Sequence, residues 1–207
     1  MWMIQKITSR ALEIFFPSFC YVCHKEGSTL CRQCLKERKL AYDPPFPYVT
    51  VMYSFKDAEI KKIIHAIKYF HRKDLIPPLV EALAYKLSKK DIADYTLVPI
   101  PMPRLRKYIR GYNHSERIAY ELSKQTHLPM INNILTRTSS KKRQVLLHSR
   151  SERLKNQHNA FSVAKEVSGM KIILVDDVTT TGATLLEARK VLLAKGALRV
   201  EALTIAH

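Results

Sequence analysis

Apolar residues recur along this chain at two spacings, which alternate over most of its length. Short apolar or alternating runs predict strands at residues 49–55, 96–101, 128–132, 160–163, 171–177 and 197–206. Apolar residues at helical spacing predict helices at residues 58–70, 74–90, 115–126, 150–157 and 184–196. Asp74 and Ser115 are predicted to begin two of these helices, and Gly196 to end the last. Helices that alternate with strands favour an α/β fold, with a mostly parallel sheet covered on both faces.

The stretches between these elements divide the chain into two predicted parts. Residues 1–40 are predicted to form an amphipathic helix and a small cysteine module, and a proline-rich linker at 41–48 opens an α/β domain over 41–207. The first twenty residues lack the continuous apolar core and cleavage site of a signal peptide. No apolar run approaches the roughly 18–20 residues of a membrane span. We therefore expect a cytoplasmic protein without a transmembrane segment, which would reach the inner face of the membrane through partners.

All four cysteines fall in the pattern C-x2-C-x7-C-x2-C, at Cys20, Cys23, Cys31 and Cys34. Each C-x-x-C pair can turn two thiolates toward one point, so the two pairs together predict a tetrahedral zinc site. Because protein fills all four positions, the zinc would be structural. Two disulfides or a redox pair are the alternatives, and disulfides would require an oxidising compartment. Whether the module contacts nucleic acid, a partner or its own domain stays open.

Charge adds a second constraint, because 35 Lys and Arg face 18 Asp and Glu for a formal net charge of +17. An excess of this size indicates a polyanionic partner, either a phosphorylated substrate, a nucleic acid or an acidic membrane surface. One basic cluster follows the predicted strand 96–101, and another lies within 137–155. Either could clamp a pyrophosphate or follow a nucleic-acid backbone. The nucleic-acid candidates are Arg104, Arg106, Lys107, Lys141, Lys142 and Arg143.

The stretch at 171–185, KIILVDDVTTTGATL, places two adjacent acids after a buried strand. Its apolar run ends at Val175, so Asp176 and Asp177 are expected to project from the carboxyl edge of the strand. The following turn, rich in threonine and containing Gly182, exposes backbone N–H groups at a helix start, which suits a phosphate. The acids could accept hydrogen bonds from the vicinal hydroxyls of a sugar or sit over a bound cation. The alternative is a capped turn without a ligand.

This stretch resembles the PRPP-binding motif of type I phosphoribosyltransferases. Together with the cysteine module and the stretches at 63–75, 97–115 and 144–161, it identifies the chain as a member of the ComF family, the competence-associated phosphoribosyltransferase-like proteins. The resemblance implies a type I phosphoribosyltransferase-like fold that binds PRPP with Mg²⁺. It places Asp176 and Asp177 on the ribose hydroxyls. The residues that it places around the 5′-phosphate are Thr179, Thr180, Thr181, Gly182, Ala183 and Thr184.

The family motifs nominate further residues for the same site. The catalytic candidates are Asp176, Asp177, Lys68 and Arg110. The candidates for contact with the pyrophosphate, or for the loop expected to close over the ligand, are Lys73, Asn113, His114, Gln144, Arg153 and Asn156. Two positions depart from the patterns: Thr180 stands where purine enzymes carry an acid, and Lys141 where the family usually has a threonine. General-base chemistry on a purine is therefore not expected from this loop.

The leading functional hypothesis is a PRPP-binding, phosphoribosyltransferase-like protein that acts in uptake or handling of single-stranded DNA during natural competence. Whether it is a Mg²⁺-dependent transferase, and of which acceptor, is left undecided. The first alternative is a non-catalytic adaptor that binds DNA or a DNA-translocating helicase or other competence protein. The second alternative is a nucleotide-salvage phosphoribosyltransferase.

Overall fold

In a computed structural model, the structure describes residues 17–138 and 160–207. The helices are α1 (Arg32–Lys36), α2 (Ala58–Tyr69), α3 (Ile76–Leu87), α4 (Arg104–Arg110), α5 (His114–Thr126) and α6 (Ala183–Ala194), with a 3-10 turn at Lys73–Leu75. The strands are β1 (Val49–Tyr53), β2 (Tyr95–Pro99), β3 (Leu135–Arg137), β4 (Phe161–Val163), β5 (Lys171–Val178) and β6 (Arg199–Ala206). The N-terminal helix and the helix at 150–157 that the sequence predicts lie outside the described residues.

Four of the strands form a parallel sheet in the order β1-β6-β5-β2. β5 is therefore flanked on both sides, and its residues are paired up to Val178, which lies opposite Ala206 on β6. β3 and β4 form a separate antiparallel pair. Because all four strands of the larger sheet are parallel, their carboxyl ends meet at one edge, where ligands bind in α/β folds.

The two faces of the sheet follow from the alternation of side chains along β5. Ile173 and Val175 join a core with α2, α3 and α5, whereas Ile172 and Leu174 join a second core with α6 and the β3–β4 pair. All four side chains are almost completely buried. The predicted parallel sheet covered on both faces is confirmed.

The cysteine module packs against the first of these faces. Cys20, Leu30 and Leu35 are buried in the same core as α2 and α3. Hydrogen bonds of Asp57 also connect the end of the module to α2. The Asp57 carboxylate caps the N-terminus of α2 and accepts the N–H of Lys39. The cysteine module therefore contributes buried side chains to the core of the α/β domain.

Several predicted boundaries differ from the structure. Asp74 does not cap a helix, because its carboxylate pairs with Arg72 and α3 begins after Leu75 without a side-chain cap. Asn113 rather than Ser115 caps α5. The predicted strand at 128–132 is reduced to a single bridge in which Met130 pairs with Leu97.

Further differences concern β5 and two short elements. β5 includes both acids, as predicted, and extends one residue further, to Val178. α4 and β3 were not predicted, since α4 buries none of its residues and β3 buries only Leu135. The predicted end of α6 at Gly196 is confirmed, because the helix stops at Ala194 and Gly196 follows with a φ of 89°. Among the described residues, no helix combines the length and apolar character needed to cross a membrane.

Candidate functional site

Asp176 and Asp177 anchor a polar cluster at the carboxyl end of β5. One carboxylate oxygen of Asp176 accepts the Ser115 hydroxyl at 2.8 Å and the N–H of Asp177 at 2.9 Å. One oxygen of Asp177 accepts the N–H of Val178 at 2.6 Å, and the other lies 3.0 Å from the Lys68 ammonium. The strand presents the two acids, and the start of α5 and the end of α2 supply their first partners.

The two acids differ in their electrostatic surroundings. Burial raises the pKa of Asp176 to about 7, and the neighbouring charge of Asp177 adds to the increase. The Ser115 hydroxyl, the N–H of Asp177 and the Lys68 ammonium act in the opposite direction without cancelling it. Asp176 therefore holds its proton more tightly than an exposed aspartate does. A bound cation would favour the ionised form.

A cavity of about 260 Å³ opens over the acids. Its polar lining comes from five separate parts of the chain: Lys68, Tyr69, Arg106, Arg110, Asn113, Ser115, Arg137, Asp176, Asp177 and Thr184. Arg110 donates to the Tyr69 hydroxyl at 3.2 Å and lies 5.0 Å from the centre of its ring. The cavity thus joins two acids to a cationic rim, which is the charge distribution that a sugar phosphate with its counterion requires.

The threonine-rich turn is only partly directed at this cavity. Thr179 is buried and its N–H donates to the carbonyl of Ala206, whereas Thr180 and Thr181 are exposed. Gly182 has a φ of 74° and precedes α6, which has no side-chain cap. Of the turn residues, Thr184 lines the cavity. The uncapped first turn of α6 leaves backbone N–H groups for an anion.

Asn113 ends the turn that follows α4, and His114 is the first residue of α5. The Asn113 amide donates to the carbonyl of Ile100 at 3.0 Å, which ties the start of α5 to the end of β2. His114 is fully buried, stacks on Tyr112 at 4.6 Å, and has no hydrogen-bond partner for either ring nitrogen among the described residues. Burial lowers its pKa to about 4, Arg110 and Lys68 add to the decrease, and Asp177 opposes it. A neutral, buried ring is poorly placed to exchange protons with solvent.

Among the residues that the structure describes, Lys73, Arg104 and Lys107 do not line the cavity over the acids. Lys73 and Lys107 border a neighbouring cavity. Arg104 lies on α4, a helix with no buried residue. The predicted residues outside the described part of the chain are Lys141, Lys142, Arg143, Gln144, Arg153 and Asn156. Conversely, sequence reasoning missed Tyr69 and Arg137 as cavity residues and took Ser115 for a helix start, because their partners come from distant elements.

The four cysteine sulfurs lie within 4.8 Å of one another. The Cys23 and Cys31 sulfurs are 3.8 Å apart, close to the separation of about 3.8 Å that two ligands of a tetrahedral ion with bonds near 2.3 Å require. None of the four is in a disulfide. Although burial opposes it, N–H groups of Cys23 and Cys31 lower the pKa of Cys20 to about 6, which favours a thiolate. The set fits one metal ion.

Comparisons with known proteins identify the family of the chain. A family model described as phosphoribosyl transferase domain matches residues 78–207. The DNA utilization protein YhgH of Escherichia coli strain K12 is 28% identical over 200 residues, covering 88% of this chain and 87% of that protein. Competence protein F of Haemophilus influenzae is 38% identical over 99 residues (46% and 43%), and competence protein ComFC of Bacillus subtilis is 37% identical over 102 residues (49% and 40%). The chain belongs to the ComF family of phosphoribosyl transferase domain proteins.

The family assignment and the fold class predicted from the sequence are thereby confirmed. Residues 78–207, the part that matches the family model, include β2, β5, α6 and β6, and therefore the acids and the turn that follows them. Lys68 and the cysteine module lie before this segment. In this ComF-family chain, the cavity over the acids is thus completed by residues that precede the matched segment.

Proposed function

We propose that this ComF-family chain binds PRPP with Mg²⁺ in the cavity over Asp176 and Asp177, and that it handles single-stranded DNA in natural competence. One observation carries the ligand assignment. Two adjacent acids lie at the carboxyl edge of a parallel sheet, with the Lys68 ammonium 3.0 Å from one of them and a cationic rim around the cavity. A phosphoribosyl ligand combines the hydroxyls that suit the acids with the phosphates that suit the rim.

Each group of residues would contact a different part of this ligand. Asp176 and Asp177 accept hydrogen bonds from the ribose hydroxyls, and the first turn of α6 receives the 5′-phosphate with Thr184. Arg106 and Arg110 hold the pyrophosphate from α4, and Lys68 shifts from Asp177 toward it. Bound Mg²⁺ would supply charge neutralisation for the pyrophosphate oxygens. The residues themselves orient the ligand and stabilise its negative charge.

The reaction class follows from the side chains that surround the acids. Thr180 is neutral, and His114 is buried with a lowered pKa, so neither provides a base for a nucleobase acceptor. What the cavity offers a transfer reaction is stabilisation of the departing pyrophosphate. A non-catalytic role as an adaptor uses the same binding contacts, and the two differ in whether pyrophosphate is released.

The DNA role rests on the relatives and on charge. The similar proteins carry the names DNA utilization protein and competence protein. The net charge of +17 suits a polyanion, and α4 presents four cations and the exposed Tyr108 on a helix without buried residues. The four-cysteine module would hold a structural Zn²⁺. For the chain as a whole, the protein partner that we assign is a helicase or another competence protein.

Titration calorimetry with PRPP and Mg²⁺ tests the ligand assignment. The double variant Asp176→Asn, Asp177→Asn should lose about a hundredfold or more in affinity, because each carboxylate contributes charged hydrogen bonds. The matched control is Asp91→Asn, Asp94→Asn, which changes two exposed acids next to the amino end of β2. Equal affinity in both double variants would overturn the assignment.

Two further assays separate the roles. Incubation with PRPP, Mg²⁺ and a panel of acceptors should release pyrophosphate if the chain is a transferase, whereas binding without release identifies the adaptor. Affinity for single-stranded DNA should fall steeply as salt is raised, because counterions are released on binding. An affinity for single-stranded DNA that does not change with salt would contradict the DNA role. The positive charge of the chain would then serve the phosphorylated ligand alone.

A further inference from the structure

A second cavity, of about 430 Å³, lies beside the turn that joins α4 to α5, and the proposed function makes no use of it. Asn113 borders both this cavity and the one over the acids, so the turn separates two neighbouring spaces. The volume falls in the range of small-molecule sites. The second cavity is therefore large enough for a ligand of its own.

The lining of the second cavity is cationic. It includes Lys73 and Lys107 against one acid, Glu116, and a third cation, Arg117, that is already paired with the buried Glu121 at 2.8 Å. Lys107 lies 3.7 Å from the Glu116 carboxylate, a long and solvent-exposed pair, and such pairs contribute little. Among the described residues, Lys73 has no carboxylate within 4.0 Å, and its ammonium lies 4.4 Å from the centre of the Tyr112 ring. The excess positive charge favours an anionic ligand.

An aromatic ring and a guanidinium lie together on the same wall. Tyr120 is 47% exposed, and the Arg117 guanidinium lies 5.3 Å from the centre of its ring. His114 already stacks on Tyr112 at an interplanar angle of 4°, so Tyr120 is the tyrosine that remains open to a ligand. A flat heterocycle stacks well on a tyrosine with an adjacent guanidinium. The cavity therefore suits an aromatic group as well as an anion.

Two buried polar atoms on the wall lack hydrogen bonds. The Nε of Arg117, a donor, and the Oδ1 of Asn132, an acceptor, have no partner among the described residues. Both residues line this cavity. A buried polar group without a partner is uncommon and points to a missing one. A heterocycle with a donor and an acceptor on one edge would supply both bonds after a small side-chain rotation.

We propose that this second cavity binds a nucleoside 5′-monophosphate. The phosphate lies between Lys73 and Lys107, and the base stacks against Tyr120 beside Arg117. No contact in this arrangement involves Asp176 or Asp177. The proposal therefore stands or fails independently of PRPP binding in the neighbouring cavity.

Calorimetry on the full chain tests the proposal with AMP, adenosine and inorganic phosphate as probes. The double variant Asp176→Asn, Asp177→Asn serves as the background, so that its first cavity is weakened. AMP should bind at least tenfold more tightly than adenosine or phosphate, because only AMP provides both the base and the anion. In this background, Lys73→Gln and Tyr120→Ala should each reduce the affinity for AMP about tenfold.

Matched controls come from exposed positions elsewhere. Tyr85 on α3 is exposed with a lysine beside its ring, as Tyr120 is, and Lys190 on α6 is exposed. Tyr85→Ala and Lys190→Gln should leave AMP binding unchanged, and thermal melts check that all variants fold. Absence of AMP binding at millimolar concentration would overturn the proposal. So would AMP binding that Lys73→Gln and Tyr120→Ala leave intact, or adenosine binding as tight as that of AMP.

A last comparison distinguishes a free nucleotide from the end of a strand, because both carry the same chemistry. A 5′-phosphorylated oligodeoxyadenylate is titrated beside AMP, with the Tyr120→Ala variant as the check on location. Tighter binding of AMP assigns the cavity to a free nucleotide. Tighter binding of the oligonucleotide, lost in Tyr120→Ala, assigns it to a strand end.

Discussion

The Lys68 ammonium lies 3.0 Å from the Asp177 carboxylate, and the two side chains are only 20% and 15% exposed. This ion pair joins the last turn of α2 to the end of β5, two elements that are separated by more than one hundred residues in the sequence. It also neutralises one of two adjacent acids. A ligand bound in the cavity would therefore compete for both the Lys68 ammonium and the Asp177 carboxylate.

Replacing Lys68 by Met should weaken PRPP binding about 10- to 100-fold, since a charged hydrogen bond to the pyrophosphate is lost. Ribose 5-phosphate lacks that pyrophosphate, so its affinity should change much less. Titration calorimetry with both ligands measures the difference. Lys62→Met is the control, because Lys62 is an exposed lysine of the same helix that pairs with Glu59. An equal loss for both ligands would argue against a pyrophosphate contact.

The raised pKa of Asp176 predicts a pH-dependent stability. Its folded-state pKa of about 7 lies above the ordinary value of 3.8, so the folded chain binds this proton more tightly than the unfolded chain does. The stabilisation is complete below about pH 4 and is lost as the pH rises through 7. Asp176→Asn removes this dependence. Without divalent ions, the unfolding free energy of the variant minus that of wild type should increase from pH 4 to 7.

The size of this effect is bounded by the linkage relation, at about 1.4 kcal/mol for each pH unit. Urea unfolding at several pH values gives the difference directly, and Asp91→Asn provides the control at an exposed acid. A difference that stays constant from pH 4 to 7 would mean that the carboxylate is as easily ionised in the fold as in the unfolded chain.

His114 yields a prediction of opposite sign. Both ring nitrogens are buried without partners among the described residues, so His114→Phe should raise the unfolding free energy by about 1 kcal/mol at pH 7. The pKa of the His114 ring is lowered to about 4, so wild type loses stability as the pH falls from 6.5 to 4. The variant has no imidazole to protonate and does not show this loss. Lys68, Arg110 and Asp177 are the charges around this ring.

The exposed His65, which also contacts aromatic rings, is the control for His114. His65→Phe should change neither the stability nor its pH dependence. PRPP affinity measured in parallel separates two roles for His114. If His114→Phe is more stable and binds PRPP normally, the ring is a packing element. If the variant is less stable than wild type, the imidazole makes a polar interaction that a phenyl ring cannot replace.

Apolar patterns in the sequence sufficed to predict most of the fold. The helix α2 buries one face at helical spacing, and β2 and β5 appear as continuous apolar runs because both of their faces are buried. The patterns failed at α4, which buries nothing and so has no apolar period to detect. The acid pair was also predictable, since it directly follows a buried run. Its partners Lys68 and Ser115, and Arg137 on the wall of the same cavity, were not recognised as a group, because only the fold brings them together.

Gly182 is the position in the turn where a side chain is least tolerable. Its φ is 74°, and a Cβ atom would lie 2.6 Å from the Phe46 ring and 3.2 Å from Pro45. Gly182→Ala should therefore lower the unfolding free energy by more than the roughly 1–2 kcal/mol of a left-handed residue alone. Gly169→Ala isolates that backbone cost, because Gly169 has a φ of 72° with nothing within 4 Å. Equal losses in the two variants would mean that Phe46 moves aside freely.

Metal removal should loosen α2 as well as the cysteine module. Arg38 donates to the carbonyl of Cys34 at 2.7 Å and lies 3.6 Å from Asp57, whose carboxylate caps α2. Loss of the metal frees Cys34, and through this chain of contacts it weakens the cap. Hydrogen exchange after chelation should therefore increase at the amides of Glu59 and Ile60.

The internal control for this experiment is α6, which packs on the opposite face of the sheet and should keep its protection. In the metal-loaded protein, Arg38→Met should raise exchange at the same two α2 amides, because it removes the side chain that joins the Cys34 carbonyl to Asp57. Exchange that increases only within residues 20–40 after chelation would contradict the coupling. In that case the packing of Cys20 and Leu30 against the α2 core would be too weak to transmit the loss.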